Sequence, residues 1–246
     1  RRRAQGRDPP RHGGAAQDDE GGGVMDTDRL IAQLAGDLVP VRRLASPAVR
    51  LVWWFMVSLP AAALVAWAFG LRPGLAARLA DPAFLAEEAA ALLTAVLAAY
   101  AALCAGVPDQ PGWKLWLPLA PMAAWLSVLG GQCLAVALRL GPEGLRITAD
   151  PMCLPAVALG GLLPALAIAV LLRRGGRFRT GHGCLCGGLA AAALGAAALR
   201  LYHVQNAAAM VIVWQLGSVA LFTLAAGVLG RALAARRPGR VPHART

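Results

Sequence analysis

The chain has 246 residues, of which 58% are hydrophobic and only 15% are charged, and its formal net charge is +11. A soluble domain carries roughly 25% charged residues, so the composition excludes an ordinary soluble protein. The apolar residues form blocks of about 20 residues, the length that a helix needs to cross a bilayer. No long run alternates strictly between polar and apolar residues, which argues against a membrane β-barrel. Positive residues flank the blocks, which is typical of membrane topology rather than of nucleic-acid binding.

The first 47 residues divide into two parts. Residues 1–24 are rich in Arg, Gly, Asp and Pro, and we expect them to be a disordered extension outside the native chain, which would start at Met25. Residues 25–47 contain a candidate amphipathic helix whose apolar side chains share one face: Leu30, Ile31, Leu34 and Leu38. A helix this short is not stable alone in water, so it needs a partner surface, either the bilayer or another protein.

Six apolar blocks make up residues 48–230, and each is predicted to be a transmembrane helix in an all-α fold. In chain order the blocks cover about 48–70, 82–106, 113–138, 153–172, 183–202 and 207–230. The second block starts at Asp81-Pro82, an N-cap followed by a first-turn proline. The fifth block has a small residue at every fourth position: Gly183, Gly187, Ala191 and Gly195. This ladder predicts the close approach of another helix, preferably within the same protomer.

Positive residues are shared unequally between the two sides of the predicted bundle. The richer side has Arg29, Arg42, Arg43, Arg50, Lys114, Arg173, Arg174, Arg177, Arg179 and the tail from Arg231; the poorer side has Arg72, Arg78, Arg139 and Arg146, with Arg200 near it. Loops rich in Lys and Arg stay in the cytoplasm. We therefore expect both termini inside, with residues 25–47 and the basic tail 231–246 cytoplasmic.

Two acidic residues, Glu87 and Glu88, lie just over one turn into the second block. Carboxylates within a membrane are costly and are functional candidates by default. The two residues are close enough to the outer end to reach the lipid headgroups or to pair with Arg78, which is the simpler interpretation. The alternative is a small transporter coupled to an ion or a metabolite, in which Glu87 or Glu88 carries the coupling.

Three residues with soft ligand atoms are predicted at one depth near the outer side. Cys133 is near the outer end of the third block, Cys153 starts the fourth, and His203 ends the fifth. Such groups could sense a signal by holding a thiophilic metal, with Cys153 and His203 as ligands. Alternatively, Cys133 and Cys153 could form a disulfide in an oxidising compartment. No hydrolase motif or phosphate-binding loop is present, so we expect no enzyme activity and no resident cofactor, although a membrane-embedded enzyme or assembly factor stays a third hypothesis.

Several segments resemble one known family. They are MDTDRLIAQLAGDLVPVRRL at the start, LRPGLAARLADPAFLAEEAAALLTAVLAA, PLAPMAAWL in the third block, DPMCLPAVALGGLLPALAIAVLLRRG in the fourth and VWQLGSVAL in the sixth. Together, from Met25 to about Arg237, they resemble the NrsF family, bacterial inner-membrane negative regulators of extracytoplasmic-function sigma factors.

The resemblance implies a multi-pass anti-sigma factor that holds an extracytoplasmic-function sigma factor at the inner membrane, without contacting nucleic acid itself. The apolar face at Leu30, Ile31, Leu34 and Leu38 would fit a groove on the sigma factor, and Arg42 and Arg43 would meet acidic residues of the partner or the lipid surface. The resemblance also implies periplasmic cysteines that respond to a heavy metal or redox signal. Cys153 matches one of them. Where a second cysteine is expected, this chain has Tyr202-His203, which puts a simple dithiol switch in doubt.

Overall fold

The computed structural model describes residues 27–36, 44–141, 153–175, 179–203 and 211–235. The chain forms two compact units, Arg1–Arg43 and Leu44–Thr246. Within the described residues there are eight α-helices and no β-strand, which confirms the predicted all-α class.

The first unit contributes one described helix, α1 (Thr27–Gly36). The helices of the second unit are α2 (Pro47–Phe69), α3 (Leu75–Leu79), α4 (Pro82–Ala105), α5 (Leu119–Leu140), α6 (Cys153–Arg173), α7 (Thr180–Tyr202) and α8 (Gly217–Ala235). A 3₁₀ turn, Gly112–Trp116, precedes α5, and a π-helical turn, Val211–Leu216, precedes α8. All but the short α3 of this second unit are long and apolar enough to cross a membrane, so the six predicted transmembrane helices are confirmed.

Local sequence signals set the starts of the first two spanning helices. Ser46 caps α2 by accepting a hydrogen bond from the Val49 N–H at 3.4 Å, with Pro47 in the first turn. Asp81 caps α4 in the same way, accepting from the Ala83 N–H at 3.0 Å, with Pro82 next to it. A side-chain acceptor at the N-cap satisfies a backbone N–H that has no partner inside the helix, and proline lacks that N–H altogether. The start predicted at Asp81-Pro82 is therefore confirmed.

Helices α4 and α7 form the centre of the bundle. In their apolar stretches 61% and 78% of the residues are buried within the protein, against 17–28% in the other four spanning helices. Both central helices are rich in alanine, and α7 also carries glycine. Small side chains allow backbones to approach closely, which is how helices gain van der Waals contact in a membrane, where the hydrophobic effect does not drive them together.

The backbones of α6 and α7 come into direct contact where the two helices cross. A Cβ atom added at Gly195 would stand 2.6 Å from the Val157 carbonyl oxygen, and one added at Gly161 would stand 2.9 Å from that of Ala191. Only glycine fits at these two crossing points. The ladder predicted on the fifth block thus packs inside one protomer, with Gly183 and Gly187 continuing it against α4 and α6.

The two ends of the bundle differ in charge. At one end, called here the arginine end, α2 begins beside the end of α6, and the Arg179 N–H at the start of α7 donates to Ala105 O at the end of α4. The side chain of Arg231, near the end of α8, covers Gly181 there. At the opposite end, called the ion-pair end, Phe69 and Tyr202 stack with ring centroids 5.2 Å apart. The first spanning helix therefore begins at the end of the bundle where the last one finishes.

Candidate functional site

Helix α1 presents apolar side chains without burying any of them. Ile31 and Leu34 are 57% and 60% exposed, and no residue of α1 is buried. Leu30, on the same face, is only partly covered. Asp28 lies in the first turn, where a negative charge interacts favourably with the helix dipole. The described part of the proposed sigma-binding segment is thus an amphipathic helix with an open apolar face. Leu38, Arg42 and Arg43 lie outside the described residues.

A buried ion pair joins the two central helices at the ion-pair end. Glu87 of α4 is 1% exposed, and its Oε2 accepts a hydrogen bond from Arg200 Nη2 of α7 at 2.9 Å. The Arg200 guanidinium also lies over the ring of Phe84, 5.4 Å from its centroid. A buried carboxylate and a buried guanidinium each lose the favourable interaction with water, and close pairing offsets part of that loss.

A second carboxylate and an amide surround this pair. Glu88 Oε1 lies 3.8 Å from Arg200 Nε, so two carboxylates share one guanidinium. The side chain of Gln132, on α5, approaches the Glu87 carboxylate. The cluster formed by Glu87, Glu88, Arg200 and Gln132 therefore connects three spanning helices. Within this cluster both carboxylates lie close to the Arg200 guanidinium, and a coupling role of Glu87 or Glu88 in transport stays a prediction.

Arg78, the partner expected from the sequence, is not the ion-pair partner found for Glu87. Arg78 forms an ion pair with Asp81 at 3.6 Å, in a half-exposed position before α4. Arg200 is 113 residues from Glu87 along the chain, and only the antiparallel packing of α4 and α7 brings the two together. The sequence contained one signal for this contact. Arg200 is a cation in the last turn of the fifth block, at the same predicted depth as the two glutamates.

The loop between α2 and α3 adds another buried cation at this end. The Arg72 backbone N–H donates to Leu201 O at 2.9 Å, which ties the loop to the end of α7. Burial lowers the pKa of the Arg72 guanidinium, and the positive charges of Arg78 and Arg200 lower it further. The ion-pair end thus gathers charges of both signs on α4, α7 and the loop after α2.

At the arginine end the buried charge is that of Arg50. Among the described residues its hydrogen-bond partner is a backbone carbonyl and not an acidic side chain. Arg50, in the first turn of α2, is buried, and its Nη2 donates to the carbonyl oxygen of Leu171 in the last turn of α6. The last carbonyl groups of a helix have no partner inside it and carry partial negative charge. Arg50 therefore joins the start of α2 to the carboxyl end of α6.

The three predicted sensing residues all belong to the ion-pair end. Cys133 is a partly buried free thiol next to Gln132 in α5, and His203 is the C-cap of α7, with its N–H bonded to Leu199 O at 2.8 Å. Cys153 begins α6, but its side chain is outside the described part of the structure. Among the side chains that are described, no group of three or more His, Cys, Asp or Glu residues could hold a metal ion. The assignment of Cys133, Cys153 and His203 to sensing stays a prediction.

Comparison with known proteins gives one match. The sequence model of the family NrsF, described as negative regulator of sigma F, matches residues 34–235, from the last turn of α1 to the end of α8. No curated protein and no solved structure matches the chain.

Proposed function

Because the chain belongs to the NrsF family of negative regulators of sigma F, we propose that it is a membrane-bound anti-sigma factor of the bacterial inner membrane. In this proposal residues 25–47 hold an extracytoplasmic-function sigma factor at the cytoplasmic face, and a stress signal on the periplasmic side releases it. The partner is a sigma factor, and the bundle of six helices serves as anchor and sensor.

The observation that carries this proposal is the open apolar face of α1. Ile31 and Leu34 are largely exposed, and Leu30 lies beside them on the helix surface. A ten-residue helix has too few hydrogen bonds to persist alone, so packing against a partner has to stabilise it. An amphipathic helix that lays its apolar face in a groove is a common mode of protein recognition. Leu38, Arg42 and Arg43 would extend the same contact.

The charges at the two ends support the proposed orientation. The arginine end carries Lys114, Arg173, Arg174, Arg179 and Arg231 near its surface. The ion-pair end carries acidic residues together with its arginines. Excess positive charge favours the cytoplasm. With the arginine end inside, the chain enters α2 from the cytoplasm, and the segment before it is on the side where a sigma factor is found.

The same orientation puts the predicted sensing residues outside. Cys133 and His203 then belong to the periplasmic end, and Cys153 starts a helix there. Thiolate and imidazole are the ligands preferred by thiophilic metals, and thiols are also the groups that oxidants attack. The proposed signal is therefore a heavy metal or an oxidant that acts on Cys153 with His203 or Cys133.

The test replaces the apolar face of α1 in the full-length protein. Ile31→Asp combined with Leu34→Asp should abolish capture of the sigma factor by the detergent-solubilised protein and raise transcription from its target promoter, because a charge cannot enter an apolar groove without a large desolvation cost. For a comparison at equal added charge, Leu34→Asp alone is matched with Ala32→Asp, which adds one negative charge on the opposite face of α1.

The control variant should bind the sigma factor as the unchanged protein does. If the double variant still captures the sigma factor and keeps the promoter silent, α1 is not the binding segment. If Ala32→Asp releases the sigma factor equally well, added charge rather than the apolar face is responsible, and the assignment fails.

A further inference from the structure

A small pocket of about 350 Å³ opens at the arginine end, beside the loop between α4 and the 3₁₀ turn. Its lining takes in most of residues 104–111 and is completed by Leu115 and Arg179. The Arg179 guanidinium lies over Gly112, where Nη1 is 3.4 Å from the position of an added Cβ atom. Arg179 is exposed, and none of the ion pairs among the described residues includes it. The pocket wall therefore carries a guanidinium whose charge no described carboxylate balances.

Other groups around this pocket add positive charge. Lys114 Nζ donates a hydrogen bond at 2.7 Å to the side-chain Oε1 of Gln110, which is a lining residue, so the ammonium stands at the rim. No side chain caps the start of α7 next to Arg179, and the first N–H groups of a helix carry partial positive charge. Asp109, in the same loop, is exposed and does not line the pocket. The pocket is therefore suited to an anion.

An apolar groove adjoins this basic pocket. The groove has a volume of about 460 Å³ and lies between α5 and α8, with α7 as its floor. Its walls include Met122, Leu189 and Val219. Leu115 lines both the pocket and the groove, so the two spaces meet at this side chain. One molecule with an anionic group and an apolar chain would fit both spaces at once.

The depth of the two spaces in the membrane favours a lipid as this molecule. Trp113 and Trp116, on either side of Leu115, are 62% and 63% exposed, and exposed tryptophans mark the level of the headgroups. From that level the groove follows α5 from Leu119 to Leu126, which is about 10 Å at 1.5 Å per residue. A phospholipid has the same order of parts, with its phosphate at the interface and its acyl chains below. A soluble protein would reach the pocket but not the groove.

We propose that the pocket and the groove together bind one anionic phospholipid. The phosphate lies beside Arg179 and Lys114, and one acyl chain passes over Leu115 into the groove. A guanidinium donates two parallel hydrogen bonds to a phosphate group, and basic pockets between transmembrane helices are binding sites for anionic headgroups. A zwitterionic headgroup brings its own cation close to Arg179 and Lys114, so it binds more weakly. This inference does not depend on the proposed binding of a sigma factor.

The first test compares headgroups. Native mass spectrometry of the full-length protein in detergent measures the binding of phosphatidylglycerol and of phosphatidylcholine with the same oleoyl chains. Phosphatidylglycerol should bind about tenfold more tightly, and Arg179→Gln should weaken its binding about fivefold. The matched control is Arg173→Gln, which removes an exposed charge at the same end but outside the pocket. It should change the affinity by less than twofold. Equal effects of the two variants would show diffuse attraction to the basic surface and overturn the proposal, as would equal binding of the two lipids.

The second test concerns the groove. Ala220 and Ala225 are both exposed on α8, and only Ala220 lines the groove. Ala220→Trp should fill the groove and weaken phosphatidylglycerol binding at least threefold, whereas Ala225→Trp should not; unchanged binding by Ala220→Trp would contradict the shared site. On the unchanged protein, phosphatidylglycerol with a photoreactive acyl chain should label α5 and α8, and unlabelled phosphatidylglycerol should suppress this labelling. Labelling confined to other helices would place the site elsewhere, independently of the folding of any variant.

A protein partner at the pocket is the competing interpretation. If Arg179→Gln lowers capture of the sigma factor and leaves phosphatidylglycerol binding unchanged, the pocket is a protein contact and the proposal is wrong. Ile31→Asp with Leu34→Asp should leave lipid binding intact, so this inference and the proposed function fail separately.

Discussion

The two ends of the bundle both bury an arginine, but they stabilise its charge in different ways. Arg200 at the ion-pair end meets the carboxylates of Glu87 and Glu88. Arg50 at the arginine end meets a backbone carbonyl in the last turn of α6. A carboxylate offers a full negative charge to the guanidinium, whereas a helix end offers about half a charge. The comparison shows that a buried arginine in a membrane bundle can be held either by a distant acidic residue or by the end of a neighbouring helix.

The consequence for the neighbouring helices differs as well. The ion pair between Glu87 and Arg200 joins the two central helices, and loss of either partner leaves a buried charge behind. The bond from Arg50 joins the outer helix α2 to α6, and loss of Arg50 leaves only a carbonyl group unpaired. Variants at the two ends should therefore lower the unfolding free energy by different amounts, and three measurements test this difference.

The largest effect is expected for Glu87→Ala, which leaves the Arg200 guanidinium buried without its closest partner. Removal of one member of a buried ion pair costs about 3–5 kcal/mol of unfolding free energy. Denaturant unfolding of the purified protein in detergent measures this loss. Asp109→Ala, in an exposed loop, is the control and should have almost no effect. The variant that removes all three charges, Glu87→Leu with Arg200→Leu and Glu88→Gln, should recover most of the loss; failure to recover would mean that the buried charges are not the origin of the cost.

A smaller effect is expected for Arg50→Leu. This change removes the charge together with its bond and leaves the Leu171 carbonyl without a partner, at a cost of about 1–3 kcal/mol. The same unfolding experiment applies, with Arg173→Leu as the control because Arg173 is exposed at the same end. If Arg50→Leu costs as much as Glu87→Ala, the two ends do not differ as described, and an acidic partner of Arg50 has to be sought.

The smallest effect is expected for Glu88→Gln. Its contact with Arg200 is 3.8 Å long, beyond hydrogen-bond distance, and its charge also repels that of Glu87. These two contributions oppose each other, so the unfolding free energy should fall by less than it does for Glu87→Ala. A loss close to that of Glu87→Ala would show that Arg200 depends equally on both carboxylates, and the cluster would then act as one unit.

Much of the fold was predictable because its signals are local. The apolar blocks, the helix start at Asp81-Pro82 and the amphipathic pattern around Leu34 depend on residues within a few positions of each other. Contacts between distant blocks were harder to predict. The pairing of Glu87 with Arg200 required knowledge of which helices are neighbours, whereas the sequence predicted Arg78 as the partner because it is close along the chain. The acceptor of the Arg50 hydrogen bond is the backbone carbonyl of Leu171. Every residue has such a carbonyl, so no pattern of residue types could indicate this contact.

The sequence by itself determined that this protein has six helices able to span a membrane, that a short amphipathic helix precedes them, and that the chain resembles the family to which it belongs. These features follow from the length and periodicity of the apolar segments, because each helix satisfies its own backbone hydrogen bonds and can span the bilayer independently of the others. Only the tertiary structure decided that α4 and α7 are central and that Glu87 faces Arg200. The same holds for the open groove between α5 and α8. Helices in a membrane associate through close packing and through pairs of polar groups. Both kinds of contact join residues that are distant in sequence and form only when the helices come together.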